Sequence, residues 1–169
     1  MAEDMKKVAE LIKGLRDGPS EMRLRCVKEL GRCGPATAEV SRALVEVLND
    51  ADPEVRETSA EALGRFCPEA AEAVPALIDA LKDVDEGVWW LFAEALGKIG
   101  PAAAEAVPAL IDTLENGNQT MKYSSAQALD QIGPAAKAAI PTLMTEMQAN
   151  TGPVRTAAEK ALTALRIKG

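Results

Sequence analysis

Residues 74–106 read VPALIDALKDVDEGVWWLFAEALGKIGPAAAEA, and this one stretch holds two helical patterns. Val74, Leu77, Ile78 and Leu81 follow the i, i+3, i+4, i+7 spacing of a single helix face. Pro75 sits near the start of that helix, where a missing N–H costs little. Residues 83–86 break the pattern. A second stripe follows at Val88, Phe92, Ala95, Leu96 and Ile99. Gly100 and Pro101 end it, the first as a left-handed cap and the second as a ring that cannot continue a helix. Residues 101–105 add a short helical turn before the pattern starts again.

The same unit recurs along the whole chain. Leu11, Leu44, Leu77, Leu110 and Leu143 are each 33 residues apart, and so are Leu30, Leu63, Leu96, Leu129 and Leu162. Pro35, Pro68, Pro101 and Pro134 form a third series, and Met22, Val55, Val88, Met121 and Val154 a fourth. Five copies therefore share one period without an insertion, at about 1–37, 38–70, 71–103, 104–136 and 137–169. The first repeat breaks at Asp17-Gly18-Pro19-Ser20, giving helices over roughly 4–16 and 20–33. The second breaks at Asp52-Pro53-Glu54, with Asp52 as N-cap and Pro53 at N1. Short loops make successive helices antiparallel neighbours. One such pair cannot bury its apolar stripe alone, whereas five stacked pairs bury a continuous core. The expected fold is an all-α solenoid in one domain. The column Val27, Ala60, Ala93, Ala126 becomes Glu159 in the last copy, and Lys6, Lys7, Glu10 and Lys13 open the first. The two end units therefore read as polar caps, and the five repeats as the whole array.

Composition narrows the function classes. Apolar residues make up 47% of 169 residues but aromatics only 3%, which suits close-packed helices. No apolar run is long enough to span a membrane, and MAEDMKKVAEL has charges where an export signal needs an apolar core. A cytoplasmic location is expected. Cys26, Cys33 and Cys67 are odd in number and have no CxxC spacing, so they read as small buried hydrophobes. The chain has no histidine, which removes the usual general base and most zinc sites. Neither cofactor, metal nor catalytic residue is expected. Net charge is −7, with the acids concentrated in the middle: residues 40–105 carry five basic and fourteen acidic side chains. A nucleic-acid binder needs a continuous basic face, so none is expected here. The acids Asp79, Asp83, Asp85 and Glu86 read as helix-end and solubility residues.

The segments DPEVRETSAEALGRF (52–66), VPALIDALKD (74–83) and GPAAAEAVPALIDTL (100–114) resemble HEAT repeats. The likeness is to the HEAT-like variety also found in phycobilin lyases and artificial helical-repeat scaffolds. It covers essentially the whole chain. It implies a right-handed superhelix with first helices on the convex side and second helices on the concave side. It also implies a ladder of loop acids and second-helix arginines between repeats. Asp17, Asp50, Asp83 and, more weakly, Asn116 fit the acid side, and Arg23, Arg56, Lys122 and Arg155 the basic side. Trp89 stands at the basic position of the third repeat. Ala149 stands at the acid position of the fifth, a loss that reads as harmless because a last repeat has no following neighbour.

With 88, 92, 95, 96 and 99 facing the core, positions 90, 91, 94 and 98 point outward. Those positions change from repeat to repeat while core positions hold. Trp90 and Tyr123 are equivalent residues of adjacent repeats, so they should share one ridge, flanked by Trp89 and Leu91. Glu57, Glu61, Glu94 and Lys98 rim it, and Gln127 lies on the same face. Trp89 has a second reading, folded into the space of the missing arginine. Phe92 belongs to the core stripe. Arg25, Lys28 and Arg32 form a basic group on the first repeat. These features point to a non-enzymatic scaffold that binds a protein or peptide on its concave face. The alternatives are a homodimer closed through the aromatic ridge and, by resemblance only, a chromophore-lyase-like subunit.

Overall fold

A computed structural model of the chain describes residues 2–33, 37–65, 69–83 and 89–167. These residues form ten α-helices and no strand. They are α1 (Ala2–Asp17), α2 (Ser20–Cys33), α3 (Ala38–Glu46), α4 (Pro53–Arg65), α5 (Val74–Asp83), α6 (Trp89–Ile99), α7 (Val107–Asn116), α8 (Gln119–Ile132), α9 (Ile140–Ala149) and α10 (Pro153–Ile167). The helix starts follow from the sequence. Asp52 accepts a hydrogen bond from the Glu54 backbone N–H at 2.9 Å, just before Pro53 opens α4. Asn118 caps α8 by accepting from the Met121 N–H at 3.0 Å. Gly100 and Gly133 take φ of +71° and +70°, the backbone that ends α6 and α8. Each then passes through a 3-10 segment, Gly100–Ala106 or Gly133–Ala139, into the next first helix.

The leucine columns form the core. Leu44, Leu77, Leu110 and Leu143 are all fully buried, as are Leu30, Leu63, Leu96 and Leu129. Leu11 is the exception and is only half-buried. In α1 the covered face moves to Val8, Ile12 and Leu15, which meet α2 and α3. Met22 also departs from its column and is exposed, where Val55 and Val154 are buried. Glu159 is exposed and ion-paired with Arg155 at 2.9 Å, where Val27, Ala60, Ala93 and Ala126 are buried. Cys26 is buried, and burial pushes its thiol pKa up. The side chains of Cys33 and Asp83 lie outside the described residues, as do Pro35, Cys67, Pro68, Asp85, Glu86 and Val88.

The second helices α2, α4, α6, α8 and α10 pack against one another in sequence, more extensively than the first helices do. That layer is therefore the shorter, inner one, and the stack is an α-solenoid curved around it. Small residues set the approach. A Cβ on Gly97 would lie 3.1 Å from the Ala128 Cα, so α6 and α8 run almost backbone to backbone there.

Side-chain rungs tie neighbouring repeats, and they differ between junctions. Arg23 on α2 grips Asp50 of the second repeat, Nε to Oδ2 and Nη2 to Oδ1, both at 2.7 Å. Its Nη1 donates to the Gly18 carbonyl at 2.9 Å. The guanidinium, the main cause, holds the Asp50 carboxyl below the usual carboxylate range. The Ser20 hydroxyl donates to Asp52 across the same junction. Arg56 donates to the carbonyls of Asp50 and Ala51, at 2.8 and 3.2 Å. Asn116 does not act as an acid: it donates to Asp112 of its own helix at 2.9 Å. The fifth repeat corrects the sequence reading. A rung runs from the cation of one repeat to the acid of the next, so the last repeat does need an acid. Glu146, one helical turn before Ala149, supplies it. Lys122 Nζ lies 2.8 Å from its carboxylate, and Asn150 donates to the same oxygen at 2.7 Å. Both partners are largely covered, with Lys122 16% and Glu146 8% exposed at the side chain.

Candidate functional site

The inner face carries grooves between successive second helices. One of these, about 600 Å³, lies between α6 and α8. Trp90 and Glu94 form one wall, and Tyr123, Ser124, Gln127 and Gln131 the other. A second groove of about 340 Å³ lies between α8 and α10, lined by Tyr123, Gln127, Asp130, Thr156 and Lys160 among others. The two share Tyr123 and Gln127, so α8 is a ridge with a groove on either side. Helical spacing explains the shared wall: residues 123 and 127 are one turn apart on the same face. The Gln127 Nε2 donates to the Tyr123 hydroxyl at 2.7 Å, which fixes the pair.

Asp130 helps to shape the second groove. It stands where Gly31, Gly64 and Gly97 stand in the earlier repeats. Its side chain is 14% exposed and pairs with Lys160 Nζ at 2.9 Å. That hydrogen bond, with the attraction between the charges, raises the Lys160 pKa above its ordinary value. The sequence marks this residue as a break in the glycine column, but nothing in the periodicity announces a groove beside it.

Most of the residues expected on the outer side of the second helices are there. Trp90 and Tyr123 are half-buried, packed on the core by one face. Glu57, Glu61 and Gln127 are exposed, and Glu94 and Lys98 are half-buried. Several charges are already paired along their own helix, Glu94 with Lys98 at 2.9 Å and Glu61 with Arg65 at 3.7 Å. Such i,i+4 pairs contribute only about 0.3–0.5 kcal/mol each, so a ligand can exchange them at little cost. Lys28 reaches Glu54 of the next repeat at 2.9 Å, while Arg25 and Arg32 are exposed.

Two residues expected at the ridge are not part of the surface. Trp89 is 1% exposed, and its indole N–H donates to the Leu81 carbonyl at 3.1 Å. It thus makes a carbonyl contact within its own repeat, as Arg23 and Arg56 do, and fills the arginine's space. Leu91 is also 1% exposed. Its position is half-buried in Thr58 and Ser124 and buried in Ala157, and Ser124 still lines a groove, so here it is the leucine itself that is covered. Phe92 lies in the core as expected, 2% exposed. It forms the floor of a cleft of about 440 Å³ on the opposite side, between α3 and α5, with Val45, Ala76 and Ala80.

Among the described residues, no three His, Cys, Asp or Glu are grouped to hold a metal ion. No described helix is long and apolar enough to cross a membrane.

The family model for HEAT repeats matches residues 8–88, 41–104 and 74–163. The chain belongs to the HEAT-repeat family. Among solved structures, the HEAT-repeat array is similar to a designed armadillo repeat protein in complex with the peptide (KR)4. That match has 20% identity and a TM-score of 0.61, and covers 92% of this chain and 80% of the other. An engineered protein from a structural genomics consortium matches at 23% identity and a TM-score of 0.59, covering 94% of this chain and 47% of that one. These likenesses show the fold. No curated protein matches.

Proposed function

We infer that this HEAT-repeat protein is a non-enzymatic scaffold that binds an extended protein or peptide segment along the inner face of its second helices. The observation that carries the reading is the pair of grooves sharing Tyr123 and Gln127, with the half-buried Trp90 as an aromatic anchor in the wider one. Packed helices lie about 8–10 Å apart, which is about three residues of extended chain. One segment therefore places side chains in both grooves in turn. Gln127, Gln131, Ser124 and Thr156 offer donors and acceptors to its backbone. That a fold neighbour carries a bound peptide is in keeping with this use of the face.

The test is selection of displayed dodecapeptides on the full chain, followed by calorimetric titration. Trp90→Ala should weaken the selected peptides by about 2 kcal/mol or more, roughly thirtyfold. Peptides that bind Trp90→Ala as tightly as the parent would overturn the reading. A concentration-dependent dimer that dissociates on Trp90→Ala would replace it with self-association through this face.

A further inference from the structure

We propose that the groove between α6 and α8 seats the cationic head of an arginine or lysine carried by the bound segment. This rests on the peptide-binding reading above and names the chemistry of its central position. Trp90 presents a partly exposed indole, and Tyr123 a partly exposed phenol, from the two walls of one groove. Aromatic faces attract cations, and planar guanidinium groups stack on them. Glu94 is the charged side chain lining this groove. Glu57 is the equivalent of Trp90 one repeat back, on the adjoining helix α4, and is exposed. A cation over the indole thus meets one lining carboxylate, with a second one helix spacing, about 8–10 Å, away. The other lining polar groups, Thr120, Ser124, Gln127 and Gln131, all have acceptor oxygens.

The cations nearby do not reverse this preference. Lys98 is held by Glu94 at 2.9 Å, and Lys160 by Asp130 at 2.9 Å. Arg25, Lys28 and Arg32 lie two repeats away, about 20 Å at one helix spacing per repeat. That exceeds the Debye length of about 8 Å at physiological salt, so their field is largely screened at the groove. An incoming arginine exchanges with Lys98 for Glu94, giving up one half-buried i,i+4 pair and gaining two aromatic side chains.

The experiment uses the full chain and fluorescein-labelled dodecapeptides taken from the selection. In each, the residue that Trp90 protects is made arginine, glutamine or glutamate, and binding is read by anisotropy. Arginine should bind about tenfold tighter than glutamate, with glutamine between them. Glu94→Gln should cut that preference to about threefold or less while leaving the glutamine peptide unchanged. Lys98→Met keeps the carbon chain that covers Gly64 but releases Glu94, so it should strengthen arginine binding about threefold. A general loss of folding cannot produce that gain. Equal binding of all three peptides, or a preference for glutamate, overturns the cationic seat while leaving the peptide reading intact. Binding that ignores Trp90→Ala removes both.

Discussion

Replacing Trp89 with alanine tests the central junction. Its ring is 1% exposed, the largest of the fully buried side chains. A buried tryptophan removes about 150–250 Å² from water, which at about 25 cal/mol/Å² is about 4–6 kcal/mol. Residual structure in the unfolded chain lowers this by about 10–40%, into the range of about 3–5 kcal/mol seen for large-to-alanine core changes. The hydrogen bond from its indole to the Leu81 carbonyl adds about 1 kcal/mol. Trp89→Ala should therefore cost about 4 kcal/mol in urea unfolding followed by circular dichroism. Trp89→Phe, which keeps most of the ring and loses the donor, should cost about 1–2 kcal/mol. Trp90→Ala should cost less than Trp89→Ala, because one face of that ring is open. Acrylamide quenching gives the matching optical result: Trp90 alone, in Trp89→Phe, is quenched, and Trp89 alone, in Trp90→Phe, is protected. A cost below about 1.5 kcal/mol for Trp89→Ala, or the opposite quenching order, would refute the assignment of Trp89 to the core.

Two further junctions make separate predictions. Arg23 lowers the Asp50 pKa below its unfolded value of about 3.9, so the folded state binds fewer protons there. The resulting stability is complete above that unfolded value and is lost as pH falls through the lower folded value. Asp50→Asn should remove about 2 kcal/mol at pH 7 and flatten the acid limb of the stability curve below about pH 4, measured by urea titration at stepped pH. Glu146→Ala leaves Lys122 covered and without its carboxylate, and should cost about 3 kcal/mol. The double replacement of Lys122 and Glu146 by leucine should recover most of that, whereas additive losses would show that the two residues do not act as a pair.

The period and the leucine columns made the solenoid legible in the sequence, because a fixed spacing of 33 leaves few ways to bury one apolar stripe per helix. The outward positions of the second helices were legible for the same reason, but Trp90 and Tyr123 face each other across a groove and do not share the single ridge that their equivalent positions suggested. Leu91 was misplaced because its side chain is covered at a position where Ser124 still lines a groove, and a single-helix pattern contains no information about what packs over each residue. Trp89 was ambiguous because an aromatic at an arginine position can either stack outside or reach a carbonyl inside. The nearby Leu81 carbonyl decides it, and it becomes visible only when α5 and α6 are packed. Glu146 was missed because it serves the rung from one turn upstream, where column-by-column comparison does not look. The pairing of Asp130 with Lys160 beside the second groove joins two helices through side chains that no repeat average predicts.

The latch made by Trp89 is satisfied within its own repeat, whereas Arg23 and Lys122 each depend on an acid of the following repeat. Repeat boundaries with equal spacing are thus unequal as places for the array to lengthen. A copy inserted after the first or fourth repeat must bring an acid within reach of a waiting cation. After the third, it need bring only a small residue opposite Gly97, and the copies at hand already carry one in Ala62, Ala95, Ala128 and Ala161. The central tryptophan thus marks a seam at which this chain accepts another unit with fewer compensating changes than the first or fourth boundary requires.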